Sequence, residues 1–127
     1  LVVESITKMI GGEVFITKMP VVSIVDLADA MIQLISKESP YTNEKVYIGC
    51  KPGEKFYEEL MTSEEVTRSI ELDSYFVVLP AFRDLYAAEY EYDNIVSKCV
   101  IDPYVSSERP KLDVNETADL LKSCNLF

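Results

Sequence analysis

The chain has 127 residues, of which 48% are hydrophobic and 27% are charged, and its formal net charge is −10. These proportions are typical of a globular protein and argue against a disordered one, and the length predicts one domain over residues 1–127. The acidic charge argues against partners such as nucleic acid, whose phosphates need clustered Lys and Arg, and against anionic membrane surfaces.

The cysteines give no sign of a metal site or of a disulfide framework. Cys50, Cys99 and Cys124 are far apart in the sequence, and the chain has no histidine. A Cys/His zinc site is therefore not expected, and we predict no bound metal. An odd, sparse set of thiols is typical of the reducing cytoplasm, where we expect the protein to be located. The sequence has no run of about 18 apolar residues, so it predicts no membrane-spanning helix.

The first elements are a helix and a strand. Leu1 to Ile10 carries apolar residues at helical spacing, and Gly11-Gly12 provides a favourable helix end. No capping residue precedes this helix, which suggests a chain cut from a larger protein. Glu13–Pro20 is rich in β-branched and aromatic residues and predicts a short strand. Ser23 to Ser36 then has one apolar stripe behind a capping-box-like start, which predicts an amphipathic helix.

The second half predicts further short elements. Lys45–Cys50 is predicted to be a strand, followed by a Pro-Gly turn and a short helix from about Lys55 to Met61. Ser69–Leu72 fits a strand or the end of a helix. The other predicted elements are a short helix capped by Thr62 and Glu65, a strand at Tyr75–Pro80, a helical turn and an acidic loop after it, an extended Val105–Leu112, and a final helix opened by Asp113 and Glu116. The pattern predicts a small mixed α/β fold, with strands too few and too short for a complete doubly wound sheet.

One motif suggests oxidoreductase chemistry but lies in the wrong context. Tyr41 and Lys45 have the Tyr-x-x-x-Lys spacing of the acid/base pair of short-chain dehydrogenases. That chemistry needs both residues on one face of a helix, whereas Pro40 and Asn43 favour a turn. We therefore interpret the match as accidental. The sequence also lacks the G-x-G-x-x-G fingerprint of dinucleotide binding; its glycines are Gly11, Gly12, Gly49 and Gly53.

The segment from Gly49 to Leu60 carries a family resemblance. Its sequence, GCKPGEKFYEEL, resembles the G-x-R-P-G-E-K-x-x-E-x-L signature of the CapD-like polysaccharide biosynthesis proteins. These are nucleotide-sugar 4,6-dehydratases and epimerases of the extended short-chain dehydrogenase family. Three other segments resemble that family in the same order, namely GGEVFITKMPVVSIVDLADAM, ELDSYFVVLP and YVSSERPKLDVNETADLL. The resemblance covers nearly the whole chain.

The resemblance implies that the chain is a carboxyl-terminal, substrate-binding lobe, with the Rossmann domain absent from this sequence. The parent enzyme would use NAD or NADP. Its partners would be a UDP-sugar and the missing amino-terminal Rossmann domain, within a homo-oligomer. The chain alone is expected to have no catalytic residues, no cofactor and no activity. The alternative is a free-standing, non-catalytic binding or interaction domain derived from the same fold. A hydrolase is disfavoured, because no acid, nucleophile and base converge in the sequence.

Within the signature, Lys51 and Glu54 are the predicted substrate-binding residues. The turn between them brings the two close together, and the resemblance implies a cation for the pyrophosphate and a carboxylate for the ribose of UDP. The family usually has arginine at the position of Lys51, and lysine lacks arginine's bidentate fork. From spacing alone, surface charges beside an ordinary turn are the simpler interpretation. The resemblance further implies these possible cleft residues: Lys18, Met19, Pro20, Pro52 and Gly53. Glu58 and Glu59 are expected to be structural.

Overall fold

The computed structural model describes residues 2–36, 44–82 and 89–126, and the chain divides into two compact units. The first unit comprises residues 1–19 and 57–108, and the second comprises residues 20–56 and 109–127. The single-domain assignment made from length stays a prediction. The elements of the first unit are α1 (Val2–Lys8), β1 (Val14–Thr17), β3 (Glu59–Met61), α3 (Ser63–Val66), β4 (Ser69–Leu72), β5 (Tyr75–Val78), β6 (Ile95–Ser97), β7 (Tyr104–Val105) and a 3₁₀ turn (Ser106–Glu108). Those of the second unit are β2 (Val21–Val22), α2 (Ile24–Ile35), β8 (Lys111–Leu112) and α4 (Val114–Ser123).

The first unit is built around an antiparallel sheet of strand order β1-β5-β4-β6. Its central strand β5 is buried along its whole length. Because side chains alternate between the two faces of a strand, Phe76 and Val78 pack with Met61 and Val66 in one cluster. Val77 packs with a second cluster, whose other buried members are Ile70, Leu72 and Leu79. Strands β3 and β7 form a separate antiparallel pair.

The second unit has two helices and one parallel strand pair. Helix α2 packs against α4, and β2 pairs with β8. The apolar stripe predicted for α2, which runs through Ile24, Leu27, Ala28, Met31, Leu34 and Ile35, is only partly correct. Ala30 and Leu34 are the residues buried against Ala118 of α4, whereas Ile24, Met31 and Ile35 are exposed. The mixed α/β class predicted from the sequence is confirmed by the two units together.

The capping residues predicted the beginnings of two helices. Thr62 Oγ1 accepts from the Glu65 N–H at 3.3 Å, and the Thr62 N–H donates to Glu65 Oε2 at 2.9 Å, a reciprocal capping box. This backbone donor holds the pKa of Glu65 below its ordinary value. Asp113 and Glu116 form the same box at the start of α4. Ser23 also precedes a helix, as predicted, but its side chain makes no capping hydrogen bond.

Two predictions around the Pro-Gly turn are wrong. Residues 45–50 form no strand, and the side chains of Val46, Tyr47 and Ile48 are 80%, 73% and 79% exposed. A β-prone sequence becomes a strand only when another strand satisfies its backbone, and no described strand pairs with it. The helix predicted from about Lys55 to Met61 is also wrong. Its last three residues form β3, because pairing with β7 outweighs the weak stability of so short a helix.

Three smaller outcomes complete the comparison with the sequence. Ser69–Leu72, which fitted either a strand or a helix end, is a strand. Within the acidic region after Pro80, residues 83–88 lie outside the described residues, and Ile95–Ser97 forms a strand that the sequence did not predict. The segment predicted to be extended is interrupted by the 3₁₀ turn between β7 and β8.

Candidate functional site

The Lys51–Glu54 turn is a closed and well-defined piece of backbone. The Glu54 N–H donates to the Lys51 carbonyl at 3.1 Å, and the Lys51 N–H donates to Glu54 Oε2 at 2.9 Å. Gly53 has a φ of 91°, which glycine adopts at little cost. Proline followed by glycine, with a hydrogen bond from the fourth residue back to the first, is the pattern of a type II turn. The predicted proximity of Lys51 and Glu54 is confirmed by these two bonds.

The turn is fully open to solvent, as a ligand-binding turn must be on at least one side. Every residue from 44 to 60 is exposed. A methyl group placed on Gly49 or Gly53 would meet nothing within 4 Å. Among the described residues, the ammonium group of Lys51 has no ion-pair partner within 4.0 Å. A cation and a carboxylate therefore stand on one exposed turn, and the cation is uncommitted within the described chain.

The possible cleft residues of the first unit have internal partners. The Lys18 ammonium lies 2.7 Å from Glu71 Oε1 and 5.0 Å from the ring centroid of Phe76. The Met19 carbonyl accepts from the Tyr104 hydroxyl at 2.5 Å. These contacts give both residues a role in holding the end of β1. In the second unit, Pro20 is exposed at the start of the segment that leads into β2.

Glu58 and Glu59 belong to the first unit and lie in its β3–β7 region. The Glu58 N–H donates to Ser106 Oγ at 2.9 Å, and the Ser106 N–H donates to the Glu58 carbonyl at 2.8 Å. Glu59 is opposite Val105 in the strand pair. Their backbones serve the fold, while both side chains point to an exposed surface.

The Tyr-x-x-x-Lys motif is not helical in the part that the structure describes. Tyr41 lies outside the described residues. Lys45 is in an irregular segment, where its ammonium forms an ion pair of 2.5 Å with Asp29 of α2. The hydrogen bond from Lys45 to Asp29 raises the pKa of Lys45. The lysine is thus held as a cation by a carboxylate within its own unit.

One cluster of functional groups was not foreseen from the sequence. Tyr75, which is 2% exposed, donates from its hydroxyl to Glu4 Oε2 at 2.5 Å. Lys8 donates to Glu4 Oε1 at 2.7 Å. These two donors lower the pKa of Glu4, the Lys8 contact being the larger cause, and Glu4 in turn raises the pKa of Tyr75. Glu4 and Tyr75 are 71 positions apart, so no local pattern announces their contact.

The Gly-Gly-Glu segment after α1 owes its shape to Glu13. One carboxylate oxygen accepts from the Ile10 N–H, and the other accepts from the Gly11 N–H at 2.6 Å. Burial opposes ionisation of Glu13, but these backbone donors prevail and lower its pKa. Tyr90 closes the turn from the other side by donating to the Gly11 carbonyl at 2.7 Å. Burial, followed by the charge of Glu13, raises the pKa of Tyr92. The glutamate is therefore a structural anion.

Within residues 2–36, 44–82 and 89–126, no group of three or more carboxylates and thiols is placed to hold a metal ion. The same ranges contain no helix of the length and apolar character needed to cross a membrane. The Lys51–Glu54 turn stays the candidate site that the sequence predicted.

Comparison with known families decides the relationship. The model of the polysaccharide biosynthesis protein family matches residues 1–80, more than half of the chain. The chain belongs to this family. The resemblance seen in the sequence is confirmed, and the Lys51–Glu54 turn lies inside the matched residues of this polysaccharide biosynthesis protein.

Two relatives illustrate how much of a longer protein this chain matches. A UDP-glucose 4-epimerase of Rickettsia canadensis is 30% identical over 114 residues, which are 90% of this chain and 32% of the epimerase. An uncharacterized membrane protein of Methanocaldococcus jannaschii is 45% identical over 73 residues, which are 55% of this chain and 22% of that protein. The chain thus spans about a third or less of these relatives.

A solved structure has the same small α/β fold. The X-ray structure of Pen from Bacillus thuringiensis matches with a TM-score of 0.77 and 33% sequence identity. The match covers 98% of this chain and 35% of the Pen chain. The fold class predicted from the sequence is therefore confirmed by an experimental structure as well as by the architecture of the chain itself.

Proposed function

We propose that this chain is the UDP-sugar-binding lobe of an NAD(P)-dependent nucleotide-sugar 4,6-dehydratase or epimerase, located in the carboxyl-terminal part of that enzyme. Support comes from the family membership, from the UDP-glucose 4-epimerase among the relatives, and from one observation in the structure. That observation is the closed turn, which carries both the Glu54 carboxylate and a Lys51 ammonium group with no ion-pair partner among the described residues. The pathway would be polysaccharide or glycan biosynthesis, and UDP-N-acetylglucosamine is the first substrate to test.

The two charged residues of the turn would bind the two parts of UDP. Lys51 would neutralise the pyrophosphate as a point charge, since lysine donates from a flexible ammonium and lacks the fork of arginine. Glu54 has one oxygen engaged by the Lys51 N–H. Its other oxygen, Oε1, has no partner among the described residues and would accept from the ribose hydroxyls. Pro52 and Gly53 would shape the turn. Lys18, Met19 and Pro20 are further candidate substrate contacts, which the family resemblance implies.

The nicotinamide cofactor would be held outside this sequence. Among the described residues, Gly11, Gly12, Gly49 and Gly53 form no phosphate-gripping loop before a helix, which supports placing NAD(P) in another part of the enzyme. The proposal accordingly assigns oxidation and reduction at the sugar to the rest of the enzyme, and assigns binding and orientation of the nucleotide to this lobe. Binding energy from a remote nucleotide can help to position the reacting carbon.

Calorimetry with UDP and with NADP tests the assignment in the full-length enzyme. Lys51→Ala removes one charge-assisted contact worth on the order of 1.5–3 kcal/mol, so affinity for UDP should fall about 10- to 150-fold. NADP affinity should not change. Lys55→Ala is the matched control, because it removes another exposed lysine from the same segment. If Lys51→Ala leaves UDP binding within twofold of wild type, the pyrophosphate assignment is wrong.

The alternative is a free-standing, non-catalytic binding domain of the same fold. It predicts no turnover of UDP-N-acetylglucosamine and no NADP binding by the full-length protein. Turnover that depends on added NAD or NADP would exclude it.

A further inference from the structure

The carboxylate of Glu54 accepts a hydrogen bond from the protein backbone, which contact with a ribose would not require. Its Oε2 accepts the backbone N–H of Lys51 at 2.9 Å, while the Lys51 carbonyl accepts the Glu54 N–H at 3.1 Å. The two residues are thus joined by a reciprocal pair of hydrogen bonds around Pro52-Gly53. A bond from an amide to an ionised carboxylate is stronger than one between neutral groups.

The turn has little else to hold it. Its residues and their neighbours from 44 to 60 are all exposed, and a methyl group built on Gly49 or Gly53 would meet no described residue within 4 Å other than its chain neighbours. Packing therefore contributes little to the shape of the turn. The conformational entropy of an exposed loop must be offset mainly by local bonds and by the restricted proline. Among the described residues, Glu54 is the side chain that hydrogen-bonds to the backbone of Lys51.

We propose that Glu54 is a positioning residue for Lys51: it fixes the backbone from which the ammonium group reaches the pyrophosphate. This inference rests on the proposed function, because it takes Lys51 to be the pyrophosphate ligand. The two oxygens of the carboxylate then have different tasks: Oε2 accepts the Lys51 N–H and holds the turn, and Oε1 would bind the ligand. If Glu54 acted only through the ribose, it would add nothing to the affinity for a ligand that lacks ribose hydroxyls. If it positions Lys51, it adds to the affinity for that ligand as well.

The experiment compares UDP with 2′,3′-dideoxyuridine diphosphate by calorimetry on the full-length enzyme and its Glu54→Ala variant. If Glu54 positions Lys51, Glu54→Ala should weaken the binding of both ligands, and the affinity for the dideoxy compound should fall about 3- to 30-fold. Glu54→Gln keeps an oxygen that can accept the Lys51 N–H, so it should bind the dideoxy ligand within about threefold of wild type. If Glu54→Ala weakens UDP but binds the dideoxy ligand as wild type does, Glu54 acts through the ribose alone and the inference is overturned.

A second measurement reads the turn without any ligand. Exchange of the backbone amide hydrogen at position 51, followed by NMR, should be slowed in wild type and in Glu54→Gln and should become faster in Glu54→Ala. Equal exchange in all three proteins would overturn the positioning role. The proposed function fails separately, if Lys51→Ala does not weaken UDP binding. If Lys51→Ala weakens it and Glu54→Ala does not, only the positioning role fails.

Discussion

The buried hydroxyl of Tyr75 on β5 donates to the carboxylate of Glu4 on α1, 71 positions earlier in the chain, at 2.5 Å. This contact joins a helix with no buried residues to the most buried strand of its unit. Lys8 completes the arrangement, with its ammonium 2.7 Å from Glu4 and 5.4 Å from the centre of the Tyr75 ring. Polar contacts therefore contribute to holding α1, where apolar burial contributes little.

Acidification should loosen α1. The pKa of Glu4 is lowered from 4.5 in the folded protein, first by Lys8 and then by Tyr75. Because the pKa is lowered, ionised Glu4 stabilises the fold at any pH above its ordinary pKa. This stabilisation is lost as the pH falls through the lower pKa of the folded protein. NMR of the α1 amides between about pH 7 and pH 3 should show this transition. Glu4→Gln should remove the transition, and an identical transition in that variant would assign it to another group.

The starts of α2 and α4 allow a matched test of capping within the second unit. Asp113→Ala removes a side chain that accepts the Asn115 and Glu116 N–H groups, and should cost about 1 kcal/mol of unfolding free energy. Ser23→Ala removes a residue at the same position of α2 that makes no side-chain capping bond, so its cost should be clearly smaller. Chemical denaturation of both variants measures the difference. Equal losses would show that Ser23 caps α2 in solution.

The buried hydroxyl of Thr117 should be a source of instability. Thr117 is 0% exposed, and its Oγ1 has no hydrogen-bond partner among the described residues. Thr117→Val keeps the shape and removes the unsatisfied polar atom, so it should stabilise the second unit by about 1 kcal/mol. Ser69→Ala is the contrasting variant, because the Ser69 hydroxyl donates to the Glu65 carbonyl at 2.6 Å. Ser69→Ala should destabilise the protein. Thermal denaturation should therefore show a raised melting temperature for Thr117→Val and a lowered one for Ser69→Ala.

The exposed face of α1 should drive association of the isolated chain. Val2, Val3 and Ile6 are 73%, 78% and 61% exposed, and apolar patches above about 400 Å² tend to associate. Sedimentation should therefore detect species larger than the 14.4 kDa monomer, and Ile6→Lys should reduce them. Ile101→Lys, at a position 80% exposed in the same unit, should have less effect. A monomeric wild-type chain at high concentration would contradict the expectation.

Features decided by short-range chemistry could be predicted from the sequence. Thr62 and Asp113 begin helices because their side chains accept backbone donors two or three residues ahead. The Pro52-Gly53 turn forms for a similar reason, since proline restricts one dihedral angle and glycine tolerates the positive φ that follows. The apolar spacing of Ser23 to Ser36 predicted the helix α2 itself, although of its predicted stripe only Leu34 is among the residues buried against α4. The family resemblance of the segments up to Pro80 is confirmed by the family match over residues 1–80.

Of the candidate site, the sequence predicted the pair Lys51 and Glu54 and their proximity, and their ligand role stays a proposal. It did not predict that Glu54 Oε2 is engaged by the backbone, because the direction of an exposed side chain depends on the three-dimensional path of the turn. Nor did it predict the partners of Lys18, since Glu71 and Phe76 reach it only through the sheet.

Long-range pairing was decided by the tertiary structure alone. Val46, Tyr47 and Ile48 have the composition of a strand, yet they form none because no described strand satisfies their backbone. Glu59–Met61 looked helical and became a strand because β7 supplies a partner. The Glu4–Tyr75 bond likewise depends on where α1 and β5 meet. Helix caps and tight turns close within a few residues, so the sequence determines them, whereas a strand or a buried polar contact needs a partner that only the folded chain brings near.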